Sequence, residues 1–150
     1  MAVTGSAVFR AYISDRMSGA AAIAPLTDTL KYAVLDNSRT PDPDVAAALT
    51  ALGAGQWVTD LSNGNWPAGG VTLTNKAFTT PASRVVQFSY DNPTAGPSVT
   101  LSGITVGLTY DVTVSSRGLC YNYLGGSSNA VVASTLTIQV PTTGAFRLNE

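Results

Sequence analysis

The sequence predicts a mainly β protein: an antiparallel β-sandwich with an N-terminal helix at about residues 6–18 and a second short helix near residues 43–52. Three observations support this prediction. Beyond residue 57, short runs alternate apolar and hydroxyl side chains with the period of a strand. Glycine and proline residues interrupt these runs. The 150 residues contain no internal repeat and no linker, so we expect a single domain over residues 1–150.

The first helix is predicted from an apolar stripe. Apolar side chains recur at helical spacing between positions 8 and 17, namely Val8, Phe9, Tyr12, Ile13 and Met17. Ser6 or Thr4 is suited to the N-terminal cap, and Gly19 is suited to the end of the helix. The stripe either packs on the rest of this chain or docks on another protein, and packing on this chain is the simpler alternative.

A strand and the second helix follow. Residues 28–36, DTLKYAVLD, place apolar side chains on both faces, which indicates a buried strand. A helix is then predicted over residues 43–52. Asp42 is a good N-cap, Pro43 stands at the favoured first helical position, and Asp44 complements the helix dipole.

The rest of the chain predicts strands with one apolar face. The alternating runs are Val71–Leu73, Val86–Tyr90, Val99–Leu101, Leu108–Val114 and Leu136–Val140. Each run has aliphatic or aromatic side chains on one side and mostly Thr, Ser or Gln on the other. Several such strands must cover their apolar faces. Two packed sheets do so most simply, with the helices at one edge or one end.

The sequence offers little for catalysis. It has no histidine, so the usual general base and the usual metal ligand are missing. Its one cysteine, Cys120, has no imidazole to activate it and is best interpreted as a small core residue. Asp42 and Asp44 are the closest carboxylates in sequence, but helix capping explains both. We therefore expect no catalytic residue, no metal and no cofactor, and we predict that the protein is not an enzyme.

Two loop segments admit a ligand as an alternative. Asp60, Asn63 and Asn65 look like part of a calcium loop, but the regular acidic spacing and the terminal glutamate are missing, so a turn is the better interpretation. The stretch NWPAGGVTLTN, residues 65–75, looks like a glycine cradle. No phosphate-loop lysine and no following helix support a ligand there. We interpret residues 67–70 as a bend that starts a strand.

The aromatic residues are candidates for contacts with other molecules. Two tryptophans and two tyrosines would suit a sugar-binding face: Trp57, Trp66, Tyr121 and Tyr123. Two tryptophans in one domain are, however, more often anchors of a core or an interface. We therefore take four side chains as candidate interface or anchor residues: Phe9, Tyr12, Trp57 and Trp66.

Composition limits the partners and the location. Charged residues make up 11% of the chain, the net charge is −1 and no basic patch exists, so we expect no nucleic acid. No apolar run approaches the roughly 18 residues that span a bilayer, so we expect no membrane. The first residues lack the features of a signal peptide, and we expect folding in a cytoplasm. A surface so poor in charge is typical of a secreted protein or of one covered in an assembly.

Three segments, in the same order, resemble a family of small structural proteins of tailed bacteriophages. TLKYAVLDNSRTPDPD, within residues 28–45, is similar to the family's opening strand and the turn after it. NWPAGGVTLTNKAF, residues 65–78, is similar to its aromatic and Ala-Gly-Gly segment. TLTIQVPTTGAFRL, residues 135–148, is similar to its closing pair of strands.

The chain also departs from this family. Trp66 stands where tyrosine is usual, Val140 stands where tryptophan is usual, and residues 91–118 are unlike the family pattern. Part of this middle region, VTLSGITVGLTYDVTVSSRG, resembles a pattern of fibronectin type III and immunoglobulin-like sandwiches. That local resemblance makes Tyr110 a candidate for a tyrosine corner.

The phage resemblance implies a non-enzymatic virion component. It implies a capsid decoration or minor capsid protein that binds the assembled shell and stabilises it. Such a protein is located on the capsid surface and is made in the cytoplasm of the bacterial host. Its expected partners are the major capsid protein and copies of itself, in a homo-oligomer or a symmetric array. Two alternatives stay open: a structural component of the phage tail or neck, and a carbohydrate-binding or adhesive β-domain.

Overall fold

The structure, a computed structural model, describes residues 6–19, 23–36, 60–125 and 129–149. These residues form ten strands and one helix, and all strand pairs are antiparallel. The predicted mainly β, antiparallel class is therefore confirmed. No helix in these ranges is long and apolar enough to cross a bilayer. In chain order the elements are β1 (Ala7–Val8), α1 (Arg10–Ser18), β2 (Leu30–Leu35), β3 (Val71–Thr72), β4 (Ala77–Ala82), β5 (Val85–Ser89), β6 (Thr94–Ile104), β7 (Val106–Asp111), β8 (Arg117–Tyr123), β9 (Asn129–Thr137) and β10 (Phe146–Asn149).

Strands β2 and β7 lie in the middle of the largest sheet. This sheet has five strands in the order β1-β8-β7-β2-β3. A three-stranded sheet has the order β10-β5-β4, and β6 and β9 form a two-stranded ribbon. Leu108 of β7 pairs with Ala33 of β2 on one side and with Tyr121 of β8 on the other. β2 is therefore held on both sides by strands that are distant in sequence, whereas β7 and β8 are consecutive strands.

One cluster of buried side chains joins these sheets. The rings of Tyr32 in β2 and Tyr90 after β5 meet edge-on, with centroids 6.4 Å apart. The Tyr90 hydroxyl also forms a 2.8 Å hydrogen bond with the Thr109 hydroxyl of β7. Removal of apolar surface from water is the main force that stabilises such a cluster. Its largest fully buried members are Trp66, Tyr32, Phe9, Phe88, Ile23, Leu30, Leu35, Leu108, Leu119, Val34 and Val99.

The predicted helix at about residues 6–18 begins later than expected. Strand β1 takes the place of its first turn, and α1 follows. In β1, Ala7 pairs with Tyr121 and Val8 pairs with Cys120. This pairing satisfies backbone groups that the first turn of a helix leaves without partners. The prediction missed it because β8 is more than a hundred residues away in the sequence.

The N-terminal cap of the helix also differs from the prediction. Phe9 occupies the cap position in an extended conformation, and its side chain makes no capping hydrogen bond. The Ser6 hydroxyl, one of the predicted caps, instead accepts a 2.9 Å hydrogen bond from the Tyr123 amide. At the other end the prediction is confirmed, because Gly19 terminates α1 in the left-handed conformation with φ of 68°.

The strand predicted over Leu108–Val114 ends at Asp111. The Asp111 carboxylate accepts a 3.2 Å hydrogen bond from the Val114 amide, which closes a turn. Ser115 and Ser116 then have φ of 52° and 54°, and a strand does not continue through such a conformation. The alternation of apolar and polar residues thus runs past the end of the strand.

Strands form within the other predicted runs, although their lengths differ from the pattern. The strand predicted within residues 28–36 is β2. β3 contains two residues, Val71–Thr72, and β9 ends at Thr137, inside the predicted run Leu136–Val140. The predicted second helix near residues 43–52 lies outside the described residues.

Candidate functional site

Three of the four candidate anchor residues are buried within this chain. Trp66 is fully buried, and Phe9 and Tyr12 are 1% and 4% exposed. The Phe9 ring meets the Tyr121 ring of β8 edge-on, with centroids 5.8 Å apart. These three side chains anchor the chain's own core, and Trp66 has no exposed face on which a sugar can stack. Trp57 lies outside the described residues.

The glycine-rich stretch after Trp66 is a structural turn. The Gly70 amide donates a 2.9 Å hydrogen bond to the Pro67 carbonyl, and Gly69 and Gly70 have φ of 80° and 77°. A Cβ atom on Gly70 would lie 2.0 Å from the carbonyl oxygen of Tyr32. The interpretation of residues 67–70 as a bend is therefore confirmed. The glycines are needed for close approach to β2.

Two side chains of the candidate calcium loop have hydrogen-bond partners within the chain. The Asp60 carboxylate accepts a 2.7 Å hydrogen bond from the Gly69 amide. The Asn65 side-chain amide donates to the Pro97 carbonyl. In the part of the chain that the structure describes, no three His, Cys, Asp or Glu side chains are grouped to hold a metal ion. The loop geometry therefore favours the turn over the calcium site.

Tyr110 and Cys120 both have structural roles. The Tyr110 hydroxyl donates a 2.6 Å hydrogen bond to the Gly69 carbonyl, 41 residues earlier in the chain. It therefore fastens the glycine turn to β7 instead of forming a local tyrosine corner. Burial raises the pKa of the Cys120 thiol to about 12, so this thiol stays protonated near neutral pH.

The three-stranded sheet has one apolar face. Phe88 of β5 lies between Phe78 of β4 and Phe146 of β10, and Val86 of β5 lies opposite Leu148 of β10. Side chains at paired positions, and at positions two residues along a strand, share one face of a sheet. All five side chains therefore lie on the same face, which is mostly apolar and includes Thr80 of β4.

This apolar face continues from the core onto the surface. Phe88 is fully buried, whereas Phe78, Val86 and Leu148 are 41%, 39% and 40% exposed. We call these three exposed residues the apolar strip. Val86 and Leu148 line an open depression of about 680 Å³, in which Arg84 is the one charged lining residue. Neighbouring exposed apolar side chains on one sheet are a candidate contact surface with another macromolecule.

The opposite face of the same sheet is polar. The Arg147 guanidinium donates two hydrogen bonds to the Gln87 side-chain oxygen, at 3.0 and 2.8 Å. The Gln87 amide donates in turn to the Thr142 carbonyl at 3.1 Å. These polar groups have partners within the chain. The two faces therefore differ in chemistry, and the apolar one has the character of an interface.

The ribbon of β6 and β9 is a second exposed element. Neither of its strands contains Asp, Glu, Lys or Arg. Val132 of β9 is 74% exposed. Ala133 has φ of 46°, and the pairing with β6 shifts register three times. Such irregularity makes an edge a poor template for another strand, so the apolar strip is the stronger candidate site.

The apolar strip could not be predicted from the alternating pattern. That pattern predicts Val86 and Phe88 on the same side of their strand, and the two do share a face. Exposure depends on what covers that face, and Leu148, the cross-strand neighbour of Val86, lies at the same outer end of the sheet. A Phe-x-Leu run at residues 146–148 was the one local signal.

No protein-family model, no curated protein and no solved structure matches the chain.

Proposed function

We propose that this chain is a non-enzymatic structural protein of a tailed-phage virion. Within that class we propose a capsid decoration or minor capsid protein that binds the assembled shell and stabilises it. The observation that carries the proposal is the apolar strip, which is exposed and lies on a hydrogen-bonded sheet. A component of the tail or neck is the alternative within the same class.

The segments that resemble phage proteins also supply the strip. Phe78 is the last residue of the NWPAGGVTLTNKAF segment, and Leu148 is the last residue of the TLTIQVPTTGAFRL segment. The first segment ends in β4 and the second ends in β10. These strands flank β5, which contributes Val86 to the apolar strip. The resemblance and the exposed surface thus concern the same part of the molecule, and this coincidence supports the proposal.

The proposal includes the finer architecture: a two-sheet β-sandwich with the second short helix near residues 43–52. Three contacts support packing of the five-stranded sheet against the remaining strands. Tyr90 contacts both Tyr32 and Thr109, and the Asn122 side chain donates a 3.2 Å hydrogen bond to the Ala145 carbonyl. In a sandwich, such contacts connect the inner faces of the two sheets.

The proposed partners are the major capsid protein and further copies of this chain. The exposed parts of three side chains form a small surface compared with the roughly 800 Å² that each partner of a stable interface buries. A single contact through the strip alone would therefore be weak. A symmetric shell repeats the contact many times, and the summed contacts then stabilise the assembly.

Co-sedimentation with undecorated capsids tests this proposal. We expect the purified chain to pellet with capsids. We expect Val86→Ser to weaken binding about fivefold, because binding newly buries the exposed 39% of this side chain, a contribution of about 1 kcal/mol. Val132→Ser is the matched control, because it makes the same change at an exposed position away from the strip. This control should bind like the wild type. Circular dichroism would verify that both variants fold.

Three outcomes would contradict the proposal in different ways. Failure to pellet with any capsid or tail preparation removes the virion assignment. Binding to tails alone replaces the capsid proposal with the tail or neck alternative. Equal loss of binding in Val86→Ser and Val132→Ser removes the apolar strip as the contact surface.

A further inference from the structure

Two buried carboxyl groups lie close together at the end of β7. Asp111 is fully buried, and Asp28 is 9% exposed. The Val114 amide donates to Asp111 Oδ1 at 3.2 Å, and the Ala24 amide donates to Asp28 Oδ2 at 2.6 Å. Asp111 Oδ2 has no hydrogen-bond partner among the described residues. A buried acceptor without a donor is costly, so this oxygen requires an explanation.

A proton held between the two carboxyl groups supplies the missing donor. Leu30 of β2 pairs with Asp111, and the Val112 amide donates to the Thr29 carbonyl, so Asp28 lies diagonally opposite Asp111 on the same face. Two ionised carboxylates only accept hydrogen bonds, so they bind each other only when one of them carries a proton. Burial, followed by the adjacent Asp28 carboxyl, raises the pKa of Asp111 to about 6. Because of this raised pKa, Asp111 retains its proton further into mildly acidic solution than an exposed aspartate does.

Helix α1 lies close to this pair through Tyr12. The Tyr12 hydroxyl is buried and has no hydrogen-bond partner in the part of the chain that the structure describes. Burial raises its pKa above the ordinary range, and the negative charges of Asp111 and Asp28 raise it further, while Arg16 of α1 lowers it. The Tyr12 phenol and the two carboxyl groups are therefore buried near one another.

Three further charged groups near this space have other partners, and one further titratable group is a thiol. Arg117, at the start of β8, forms an ion pair with Asp15 of α1. The Lys76 ammonium donates to the Asp28 backbone carbonyl. Cys120 of β8 is a buried neutral thiol. The raised pKa of Asp111 lies in the mildly acidic range.

We propose that the Asp28–Asp111 pair is a proton-dependent latch for helix α1. With one shared proton, the pair keeps α1 and the turn at residues 24–28 packed against the end of β7. With both carboxyls ionised, a second buried negative charge favours release of the helix. Because the folded pKa of Asp111 is raised, the stabilisation is complete below its ordinary pKa of about 4 and is lost as the pH rises through about 6.

Release of the helix would uncover apolar side chains. Phe9 and Tyr12 are buried where α1 meets β8, and the described chain buries both almost completely. Opening of α1 presents these two rings to solvent, while the apolar strip lies on a different sheet. The latch therefore gives the molecule a second, pH-dependent apolar surface. This inference does not depend on the proposed capsid function.

Hydrogen–deuterium exchange of the full chain tests the latch. Peptide-resolved exchange would be measured at about pH 5 and about pH 8, with correction for the intrinsic pH dependence of amide exchange. We expect the opening constant of α1 to rise about tenfold between about pH 5 and about pH 8. The change is no larger because part of the stabilisation of the packed helix is already lost at about pH 5. Protection of β5, in the three-stranded sheet, should change little.

Two variants identify the groups responsible. Asp111→Asn should remove the pH dependence of α1 opening, because the amide carries no charge and can still donate to Asp28. Asp91→Asn is the matched control at an exposed carboxylate that accepts hydrogen bonds from Thr74 and Asn75, and it should retain the wild-type dependence. If Asp111→Asn does not fold, Asp28→Asn removes the other half of the pair and should have the same effect.

Each of four results would overturn the latch. The first is equal α1 protection at both pH values in the wild type. The second is an unchanged pH dependence in a folded variant that lacks either member of the pair. The third is an equal loss of protection in β5, which would indicate a global effect on stability. The fourth is recovery of α1 protection at about pH 8 by millimolar Ca²⁺ or Mg²⁺ in the wild type but not in Asp111→Asn, which would make the pair a cation site.

Discussion

The centre of the large sheet and the β6–β9 ribbon use similar residues but differ in burial. β7 buries all of its residues and β2 buries all except Lys31, whereas no residue of β9 is fully buried. Residues 108–110 and 135–137 both alternate a hydroxyl with larger apolar side chains. β7 has a strand on each side, while β9 pairs with β6 alone among the described residues. A strand's pattern thus selects its apolar face, and its neighbours decide whether that face is buried.

The side-chain hydrogen bonds of the two regions also differ in burial. In the sheet, the fully buried Thr109 hydroxyl bonds the Tyr90 hydroxyl at 2.8 Å. In the ribbon, the Thr94 and Thr137 hydroxyls bond each other at 3.1 Å in an exposed position. Water can replace the second bond when it is lost, but it cannot reach the first. Substitutions of similar chemistry should therefore cost more in the sheet than in the ribbon.

The largest expected effect comes from a pair of glycines with the same backbone conformation. Gly70 lies against β2 with φ of 77°, and Gly103 lies near the end of β6 with φ of 74°. A Cβ atom on Gly70 meets the Tyr32 carbonyl at 2.0 Å, whereas one on Gly103 meets nothing within 4 Å. Gly70→Ala should cost about 4 kcal/mol or more, and Gly103→Ala about 1 kcal/mol, the cost of the left-handed conformation alone.

Urea unfolding of the two glycine variants measures this difference. The midpoint should fall much further for Gly70→Ala at an unchanged slope, and failure of this variant to fold would be the extreme form of the same result. Equal losses of unfolding free energy at the two positions would contradict the contrast. Backbone strain would then account for both losses, and the close approach of Gly70 to β2 would make no contribution.

A smaller difference is expected for the two hydroxyl pairs. Tyr90→Phe leaves the buried Thr109 hydroxyl without its partner and should lower the free energy of unfolding by about 1–2 kcal/mol. Thr137→Val removes the exposed partner of Thr94 and should change it by less than about 0.5 kcal/mol. Thermal unfolding of both variants beside the wild type provides the measurement. A larger loss for Thr137→Val would show that the ribbon hydroxyls are shielded from water.

Features that depend on sequence neighbours could be predicted. The left-handed Gly19 ends α1 as expected, because only the local backbone conformation is involved. The bend at residues 67–70 was also predictable, since proline and paired glycines specify a turn wherever they are placed. The buried strand within residues 28–36 followed from apolar side chains on both of its faces. Each of these predictions needed no knowledge of the partner strand.

Features that depend on distant partners could not be predicted. Val86 and Phe88 have the same pattern in sequence, but their exposure differs because only Phe88 is covered by the core. Asp28 precedes β2 and Asp111 is the last residue of β7, and these two strands are far apart in the chain. The register that brings these strands together is a property of the whole sheet. The predicted helix start failed for the same reason, because β8 provides the competing partner.

The smallest expected effect is at Val132, and it tests whether the ribbon is an open surface. Val132 is 74% exposed on β9, whereas Val99 is fully buried on β6, the other strand of the ribbon. Val132→Thr should change the free energy of unfolding by less than about 0.5 kcal/mol. Val99→Thr, the matched control, should cost about 1–3 kcal/mol, because it buries a hydroxyl group without a partner. Urea unfolding of both variants gives the comparison. Equal costs would mean that the outer side of β9 is covered in the free protein, and the contrast between sheet and ribbon would then lose its basis.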